Sequence, residues 1–168
     1  MRRLLLLRHA KSSWADPGAR DHDRPLNPRG RDAATRMGTY LHDEGLVPDL
    51  VLCSSARRTC ETVARLDLPD SVELVIEHDL YVAHPDAVVE QIRAVADAVT
   101  TLMVVGHNPT TQDLALELAG GGEPDAILRI GQKFPTGALA ILAVPGRWST
   151  VAPGIATLER FVTPRALE

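Results

Sequence analysis

A chain of 168 residues with 45% hydrophobic and 24% charged residues is long enough to bury its own core, and we expect residues 1–168 to form one domain. The net charge of −4 argues against a general nucleic-acid-binding protein, although residues 1–60 hold 11 Lys and Arg against 7 Asp and Glu. The two cysteines, Cys53 and Cys60, have no metal-ligand spacing, and we interpret both as reduced packing residues.

The first predicted strand is a run of four leucines, residues 4–7, which ends at Arg8 and His9. Such a run, without alternation, is typical of a parallel strand covered by helices on both faces. It is too short for a signal-peptide core or a membrane span, so we expect a cytoplasmic protein without a membrane partner. Ligands of α/β proteins bind at the carboxyl ends of strands, and there Arg8 and His9 offer an anion site and a candidate nucleophile.

Residues 12–27 are rich in Pro, Gly and polar side chains, and they predict a loop over the carboxyl edge of the sheet. Asn27 and Pro28 are typical of the cap and the first position of a helix, which a hydrophobic stripe continues to just before Gly45. Residues 49–53 then predict a second buried strand.

Ser54 follows this second strand and can cap a helix that runs to about Leu66. The predicted inward positions of this helix are Cys60, Val63 and Ala64. Arg58 and Thr62 lie four residues apart and share one face. Because arginine at a helix N terminus opposes the helix dipole, the Arg57-Arg58 pair favours an anion held nearby, the alternative being a solvated helix start.

A third strand is predicted over residues 73–76, and a helix is predicted to start at Pro85. The hydrophobic positions at helical spacing are Val88, Val89, Ile92, Val95 and Ala96. This order of strands and helices favours parallel strands joined by right-handed crossovers.

The clearest strand pattern covers residues 102–105 and leads to His107. Asn108 and Pro109 are typical of the cap and the first position of the next helix, which continues to about Leu118. The residues predicted to end this helix are Gly120, Gly121 and Gly122.

Two later strands are predicted over residues 138–144 and 156–162, antiparallel to each other and towards an edge of the sheet. The segment 123–135 has no predicted element. Together with Thr136 and Gly137 it could border the site, and the sequence does not decide this. These patterns predict an α/β protein with a mostly parallel central sheet and an antiparallel edge.

The predicted strand ends bring basic side chains from distant parts of the chain to one edge of the sheet. Arg8 and His9, Arg58, and His107 each follow a different parallel strand, next to helix N termini that favour anions. Two guanidinium and two imidazole groups together favour a phosphate dianion as the ligand.

Imidazole groups favour chemistry in addition to binding, because a neutral imidazole is a competent nucleophile for phosphoryl transfer. The surrounding cations would stabilise the charge that develops on the transferred group. The chain has no HExxH sequence, no zinc-type cysteine spacing and no GxxxxGK loop, so we expect neither a metal nor another cofactor.

These residues also carry a family resemblance. Its motifs are Arg8-His9-Ala10, Ser54 with Arg58 and Thr62, Gly106-His107, Asp23-Arg24-Pro25-Leu26-Asn27 and Leu80-Tyr81. The combination resembles the histidine phosphatase (phosphoglycerate-mutase-like) superfamily, and the short chain resembles its SixA-type phosphohistidine phosphatase branch. The resemblance implies a three-layer α/β/α sandwich in which His9 is the phosphoryl-accepting nucleophile. It also implies that Arg8, Arg58 and His107 complete the catalytic phosphate pocket.

The chain departs from the family pattern at three positions. The resemblance places Ala10 where glycine is usual and Ser55 where proline is common. It places Val82 where larger members carry a glutamate that protonates the leaving group. The candidate replacements are Glu77, Asp79 or an acidic residue of the 16–23 loop, and a site without such an acid is the alternative.

Three functions follow from this reading. The leading hypothesis is a metal-independent phosphatase that forms a phosphohistidine intermediate on His9 and acts on protein phosphohistidine, whose imidazole leaves without a strong acid. The alternatives are a phosphatase of a small phosphomonoester and a non-catalytic phosphate-binding module. The roles of Ser12, Arg24 and Thr62 and the oligomeric state are not assigned by the sequence.

Overall fold

The computed structural model describes residues 1–168 and contains one seven-stranded sheet. The strands are β1 (Arg2–Arg8), β2 (Leu50–Ser54), β3 (Glu73–Glu77), β4 (Thr101–Gly106), β5 (Ala119–Gly122), β6 (Leu139–Val144) and β7 (Ala156–Val162). The helices are α1 (Pro28–Asp43), α2 (Arg57–Arg65), α3 (Pro85–Arg93), α4 (Thr110–Leu118) and α5 (Pro124–Gln132). The strand order is β3-β2-β4-β1-β6-β7-β5.

Strands β1 to β4 are mutually parallel, because β4 pairs in parallel with both β1 and β2, and β2 pairs in parallel with β3. Strand β6 runs antiparallel to both β1 and β7, and β5 pairs in parallel with β7. The carboxyl ends of β1, β2 and β4 therefore lie side by side at one edge of the sheet. This confirms the α/β fold and places the three predicted strand ends together.

Alternate residues of the central strands enter two different hydrophobic clusters. Leu4 and Leu6 of β1 belong to a cluster that includes side chains of α3, α4 and α5. Leu5 and Leu7 belong to a second cluster, with side chains of α1 and α2. Because neighbouring residues of a strand point to opposite faces of the sheet, helices cover both faces. This is the three-layer sandwich, and it explains why the leucine run shows no alternation.

Several predicted element boundaries were wrong. Ser54 ends β2, and the residue at the N-cap of α2 is Ala56, whose amide donates to the Ser54 hydroxyl. Ala64 of α2 is exposed and does not face the core. Helix α3 ends at Arg93, so the helical pattern breaks before Val95 and Ala96.

The start and end of α4 also differ from the prediction. The helix begins at Thr110 with Pro109 at the N-cap, although the Asn108 side chain still accepts from the Gln112 amide. Gly120, Gly121 and Gly122 do not form a loop but belong to β5, which extends the sheet beside β7. At Gly120 and Gly122 a Cβ would lie within 2.2 Å of backbone oxygen atoms, so only glycine fits this close approach. The segment 123–135 contains α5, which the sequence analysis left unassigned.

Two glycines of different helices give opposite expectations for replacement by alanine. In α1, a Cβ on Gly38 would lie 2.3 Å from the carbonyl oxygen of Leu66, whereas a Cβ on Gly131 of α5 would meet no atom within 4 Å. We expect Gly38→Ala to lower the free energy of unfolding by about 1–3 kcal/mol through overpacking. Gly131→Ala is expected to raise it by roughly 0.5–1 kcal/mol, because alanine favours the helix. Urea unfolding followed by circular dichroism measures both, and equal effects of the two substitutions would contradict the close α1–α2 packing.

None of the five helices has the length and apolar character needed to cross a membrane.

Candidate active site

A cavity of about 320 Å³ opens at the carboxyl ends of β1, β2 and β4. It is lined by Arg8, His9, Lys11, Ser12, Trp14, Arg24, Arg58, His107, Asn108 and Thr136. All four residues predicted for the site therefore line one cavity. Four lining side chains are arginine or lysine and none is acidic, so the cavity suits an anion.

His9 follows β1 directly and is held by its neighbours on several sides. Its amide donates to the carbonyl of Gly106, and the amide of Ala10 donates to the hydroxyl of Thr62. His9 is 7% exposed, and its Nδ1 lies 2.7 Å from the carbonyl oxygen of Ala10. Since a carbonyl oxygen only accepts hydrogen bonds, Nδ1 carries the proton and Nε2 carries the lone pair. Nε2 has no hydrogen-bond partner in the protein, and it is not fully buried.

Ala10 follows His9 at the position where the sequence resemblance leads one to expect glycine. Ala10 is fully buried, and it forms a small hydrophobic cluster with Leu26 and Ala34. Its backbone φ is not in the left-handed region. Alanine is therefore compatible with the turn that follows the nucleophile position.

His107 follows β4 and faces His9 across the cavity. The two ring centroids are 5.3 Å apart, with the ring planes inclined at 51°. His107 Nε2 lies 2.8 Å from the hydroxyl of Ser54, while its Nδ1 is buried without a hydrogen-bond partner. The Tyr81 ring packs edge-on against His107 at 5.6 Å. The Ser54 hydroxyl therefore belongs to the site and does not cap α2.

Burial keeps both imidazoles neutral near pH 7. Loss of hydration lowers the pKa of His9 to about 3, although the hydrogen bond to the Ala10 carbonyl acts in the opposite direction. The nearby cations Arg58 and Arg8 lower it further. Burial also lowers the pKa of His107 to about 4, helped by the charge of Arg58. A nucleophilic imidazole must be neutral, and His9 has this protonation state near pH 7.

We expect the ring protons of His9 and His107 to show no titration between pH 5 and 8 in the folded protein. The pKa of each group is lowered below this range, so each is already deprotonated at pH 5. Chemical shifts of the ring Cε1–H protons, assigned with His9→Gln and His107→Gln, measure this. In the urea-unfolded chain the same protons should titrate with a midpoint at about pH 6.5. A midpoint above pH 6 for His9 in the folded protein would contradict a desolvated, neutral nucleophile.

Arg8 and Arg58 each keep an unpaired donor. Arg8 Nη1 donates to the carbonyl of Phe134, and the two terminal nitrogens of Arg58 donate to the backbone and side chain of Asp21. The Nε–H groups of both arginines are buried without a partner. Unpaired buried donors are costly, and an oxyanion in the adjacent cavity would compensate for them.

Asp21 organises the arginines on one side of the cavity, which the sequence analysis did not predict. Its carboxylate lies 3.1 Å from both Arg58 and Arg24, and the Tyr81 hydroxyl donates to it. Arg24 in turn donates to the hydroxyl of Ser12 and stacks 3.5 Å from the centroid of the Trp14 ring. The motifs at Arg24, Arg58 and Tyr81 marked members of this network in the sequence, but they did not indicate that Asp21 joins them.

None of the candidate acids is placed in the cavity as a protonated side chain that could donate to a leaving group. Glu77 and Asp79 line a different cavity, between β2, β3 and the end of α3, which contains no predicted site residue. Asp21 is the acidic residue of the 16–23 loop that contacts the site. The Tyr81 hydrogen bond, together with Arg58 and Arg24, lowers the pKa of Asp21 to about 2, so its carboxyl group is ionised near pH 7.

Asp21→Asn is therefore expected to lower activity because Arg58 and Arg24 lose their shared partner and shift, and not because a general acid is removed. We expect kcat/KM to fall by about tenfold to a hundredfold, by a similar factor for an acyl phosphate and for an alkyl phosphate. Asp23→Asn is the matched control, because Asp23 contacts only the side chain of His22 and should leave kcat/KM unchanged. A loss confined to the alkyl phosphate, whose leaving group needs a proton, would instead identify Asp21 as the acid.

No group of three or more His, Cys, Asp or Glu side chains is arranged so that it could hold a metal ion.

Known proteins are similar to this chain in sequence and in fold. Residues 4–81 match the family model of the histidine phosphatase superfamily, branch 1. The uncharacterised protein Rv1276c of Mycobacterium tuberculosis is 47% identical over 161 residues, which cover 95% of this chain and all of that protein.

Two similar solved structures carry a provisional assignment as the phosphohistidine phosphatase SixA. The protein from Nakamurella multipartitia has a TM-score of 0.84 at 32% identity, covering 97% of this chain and 96% of that chain. The protein from Agrobacterium tumefaciens has a TM-score of 0.82 at 32% identity, covering 97% of this chain and 98% of that chain. Together with the matched family model, these likenesses show that the chain belongs to the histidine phosphatase superfamily, in its SixA-type branch.

Proposed function

We propose that this protein is a metal-independent phosphatase that transfers the phosphoryl group of a phosphorylated protein histidine first to His9 and then to water. One observation carries the proposal. The His9 ring is fixed through Nδ1 to the Ala10 carbonyl, so that a neutral Nε2 is available beside His107 and the arginines of the cavity. The similarity to proteins assigned as SixA supports the same activity.

In the first step the Nε2 lone pair of His9 forms a bond to phosphorus, while the bond from phosphorus to the leaving nitrogen breaks. The leaving imidazole keeps the electron pair and takes up a proton from solvent. The phosphorylated His9 ring then carries positive charge, and its Nδ1–H remains hydrogen-bonded to the Ala10 carbonyl, which stabilises that charge.

In the second step a water oxygen forms a bond to phosphorus, and the bond from phosphorus to Nε2 breaks. The water gives up one proton to solvent, inorganic phosphate leaves, and His9 returns to its neutral form. In both steps, Arg8, Arg58 and His107 stabilise the three equatorial oxygens of the transferred group, where the transition-state charge accumulates. This electrostatic role does not require a metal ion.

The choice of phosphohistidine rests on the lack of a proton donor in the cavity. A phosphate ester expels an alkoxide, and general acid catalysis contributes about 10²- to 10⁴-fold to such a step. Because Asp21 is ionised and Glu77 and Asp79 lie elsewhere, that contribution is missing for esters. The P–N bond of phosphohistidine is activated and breaks without it.

A comparison of substrates tests the proposal. We expect kcat/KM for a histidine-containing peptide, phosphorylated chemically with phosphoramidate, to exceed that for sugar phosphates by at least about a hundredfold. Phosphate release measures both substrates under the same conditions. Faster turnover of a sugar phosphate would instead support a phosphatase of small phosphomonoesters. Binding of phosphate or vanadate without turnover of any substrate would support a non-catalytic binding module.

A further inference from the structure

We call the cavity of about 320 Å³ that His9 and His107 line the phosphate cavity. A second cavity, of about 250 Å³, lies directly next to it. The two cavities share His107 and Asn108 as lining residues. The second cavity extends from there between the segment that leads into α3 and the start of α4. A ligand that reaches past His107 would therefore occupy both.

The walls of the second cavity combine hydrophobic side chains with uncharged polar groups and with the rings of His84 and His107. Its buried lining includes Leu80, Val88 and Leu114, and no Asp, Glu, Lys or Arg side chain is present. The threonine hydroxyls in the wall are already engaged, since Thr110 donates to the carbonyl of Ala83 and Thr111 donates to that of His107. An apolar group would fill this space without breaking these hydrogen bonds.

The volume limits the size of that group. An apolar cavity of about 150 Å³ is sufficient to bind benzene. The space of about 250 Å³ next to His107 thus accommodates one branched aliphatic side chain or one aromatic ring.

The surroundings of the two cavities favour a protein as the source of this group. Trp14 lines the phosphate cavity and is 75% exposed, and Val82 lines the apolar cavity and is 68% exposed. Large exposed hydrophobic side chains at two adjoining cavities are typical of a surface that binds another protein. A small sugar phosphate would make no use of them.

We propose that the apolar cavity binds a hydrophobic side chain of the substrate protein, close in sequence to its phosphorylated histidine, and so selects among phosphorylated proteins. This inference rests on the proposed phosphatase activity and adds a specificity site to it. The phosphate cavity recognises the phosphoryl group, and the adjacent cavity recognises its apolar neighbour.

Phosphohistidine peptides test the inference. In a Gly- and Ser-rich peptide, each of the two positions on either side of the phosphohistidine is changed in turn from serine to leucine, and kcat/KM is measured by phosphate release. We expect leucine to raise kcat/KM by about tenfold or more at one of these positions, as burial of an aliphatic side chain predicts.

Variants then connect the preference to the cavity. Ala83→Phe fills the space and is expected to bring the leucine-to-serine ratio to about one. Ala87→Phe is the matched control, because Ala87 is exposed on α3 and does not line the cavity, and the ratio should be unchanged. If Ala83→Phe does not fold, Val88→Ala is tested in its place. This substitution enlarges the cavity, and it should shift the preference at the selected peptide position from leucine towards phenylalanine.

The results of these experiments distinguish failure of the specificity site from failure of the proposed phosphatase activity. Turnover of the peptides without a leucine preference, or a preference that survives both cavity variants, would overturn the inference alone. A preference for cyclohexylmethyl phosphate over methyl phosphate, two esters with similar alkoxide leaving groups, without any peptide preference would assign the cavity to small molecules and overturn the protein occupant. No turnover of any phosphorylated peptide would overturn the proposed function and the inference with it.

Discussion

His9→Ala is expected to lower kcat/KM for a phosphohistidine peptide by about 10⁴-fold or more, the loss typical of removing a catalytic nucleophile. In the proposed mechanism Nε2 of His9 supplies the bond to phosphorus, and no other neutral nucleophile in the cavity has its position. His107 is 5.3 Å away, but its Nε2 is engaged with the Ser54 hydroxyl. Phosphate release under single-turnover conditions measures the loss.

His42→Ala serves as the control for His9. His42 is an exposed histidine near the end of α1, and its ring contacts the backbone of Asp67 far from the cavity. This variant should keep the wild-type rate. A His9→Ala protein that retained activity within tenfold of the wild type would show that His9 is not the nucleophile.

Arg58→Ala is expected to lower kcat by about 10²- to 10³-fold, as removal of one donor from a preorganised oxyanion site does. Arg58 is 6% exposed, and its Nε–H is buried without a partner beside the anion cavity. Arg58→Lys should recover only a small part of the loss, because an ammonium group cannot reproduce the planar fork of donors.

The neighbouring Arg57 provides a matched control for Arg58. Its side chain is 56% exposed and pairs with Glu61 on the outer face of α2. Arg57→Ala should change kcat by less than about twofold, since surface ion pairs contribute little. Equal losses for the two arginine variants would contradict the placement of Arg58 in the phosphate pocket.

The site was predictable where its position depends on strand ends. The leucine run before Arg8 and the strand before His107 are buried on both faces, and such strands have a distinct sequence pattern. Because parallel strands end at the same edge of a sheet, these ends and the start of α2 had to converge. The sequence therefore predicted which residues meet, without any information on distances.

The errors occurred where contacts between distant segments decide the structure. The glycines of β5 resemble a helix end, but they form a strand because they pair with β7 and because the backbones of Gly154 and Leu158 approach them closely. The roles of Ser54 and Asp21 were missed for the same reason. Ser54 contacts His107, which is 53 residues away, and Asp21 contacts Tyr81, which is 60 residues away. Local patterns cannot specify such pairs.

The most direct test of the account is identification of the phosphorylated intermediate. The protein is mixed briefly with ³²P-labelled phosphoramidate, quenched in alkali, and mapped by mass spectrometry. The account predicts one acid-labile, alkali-stable phosphoryl group on His9, absent from His9→Ala and present in His42→Ala. A phosphoryl group on any other residue, or equal labelling of His9→Ala, would contradict it.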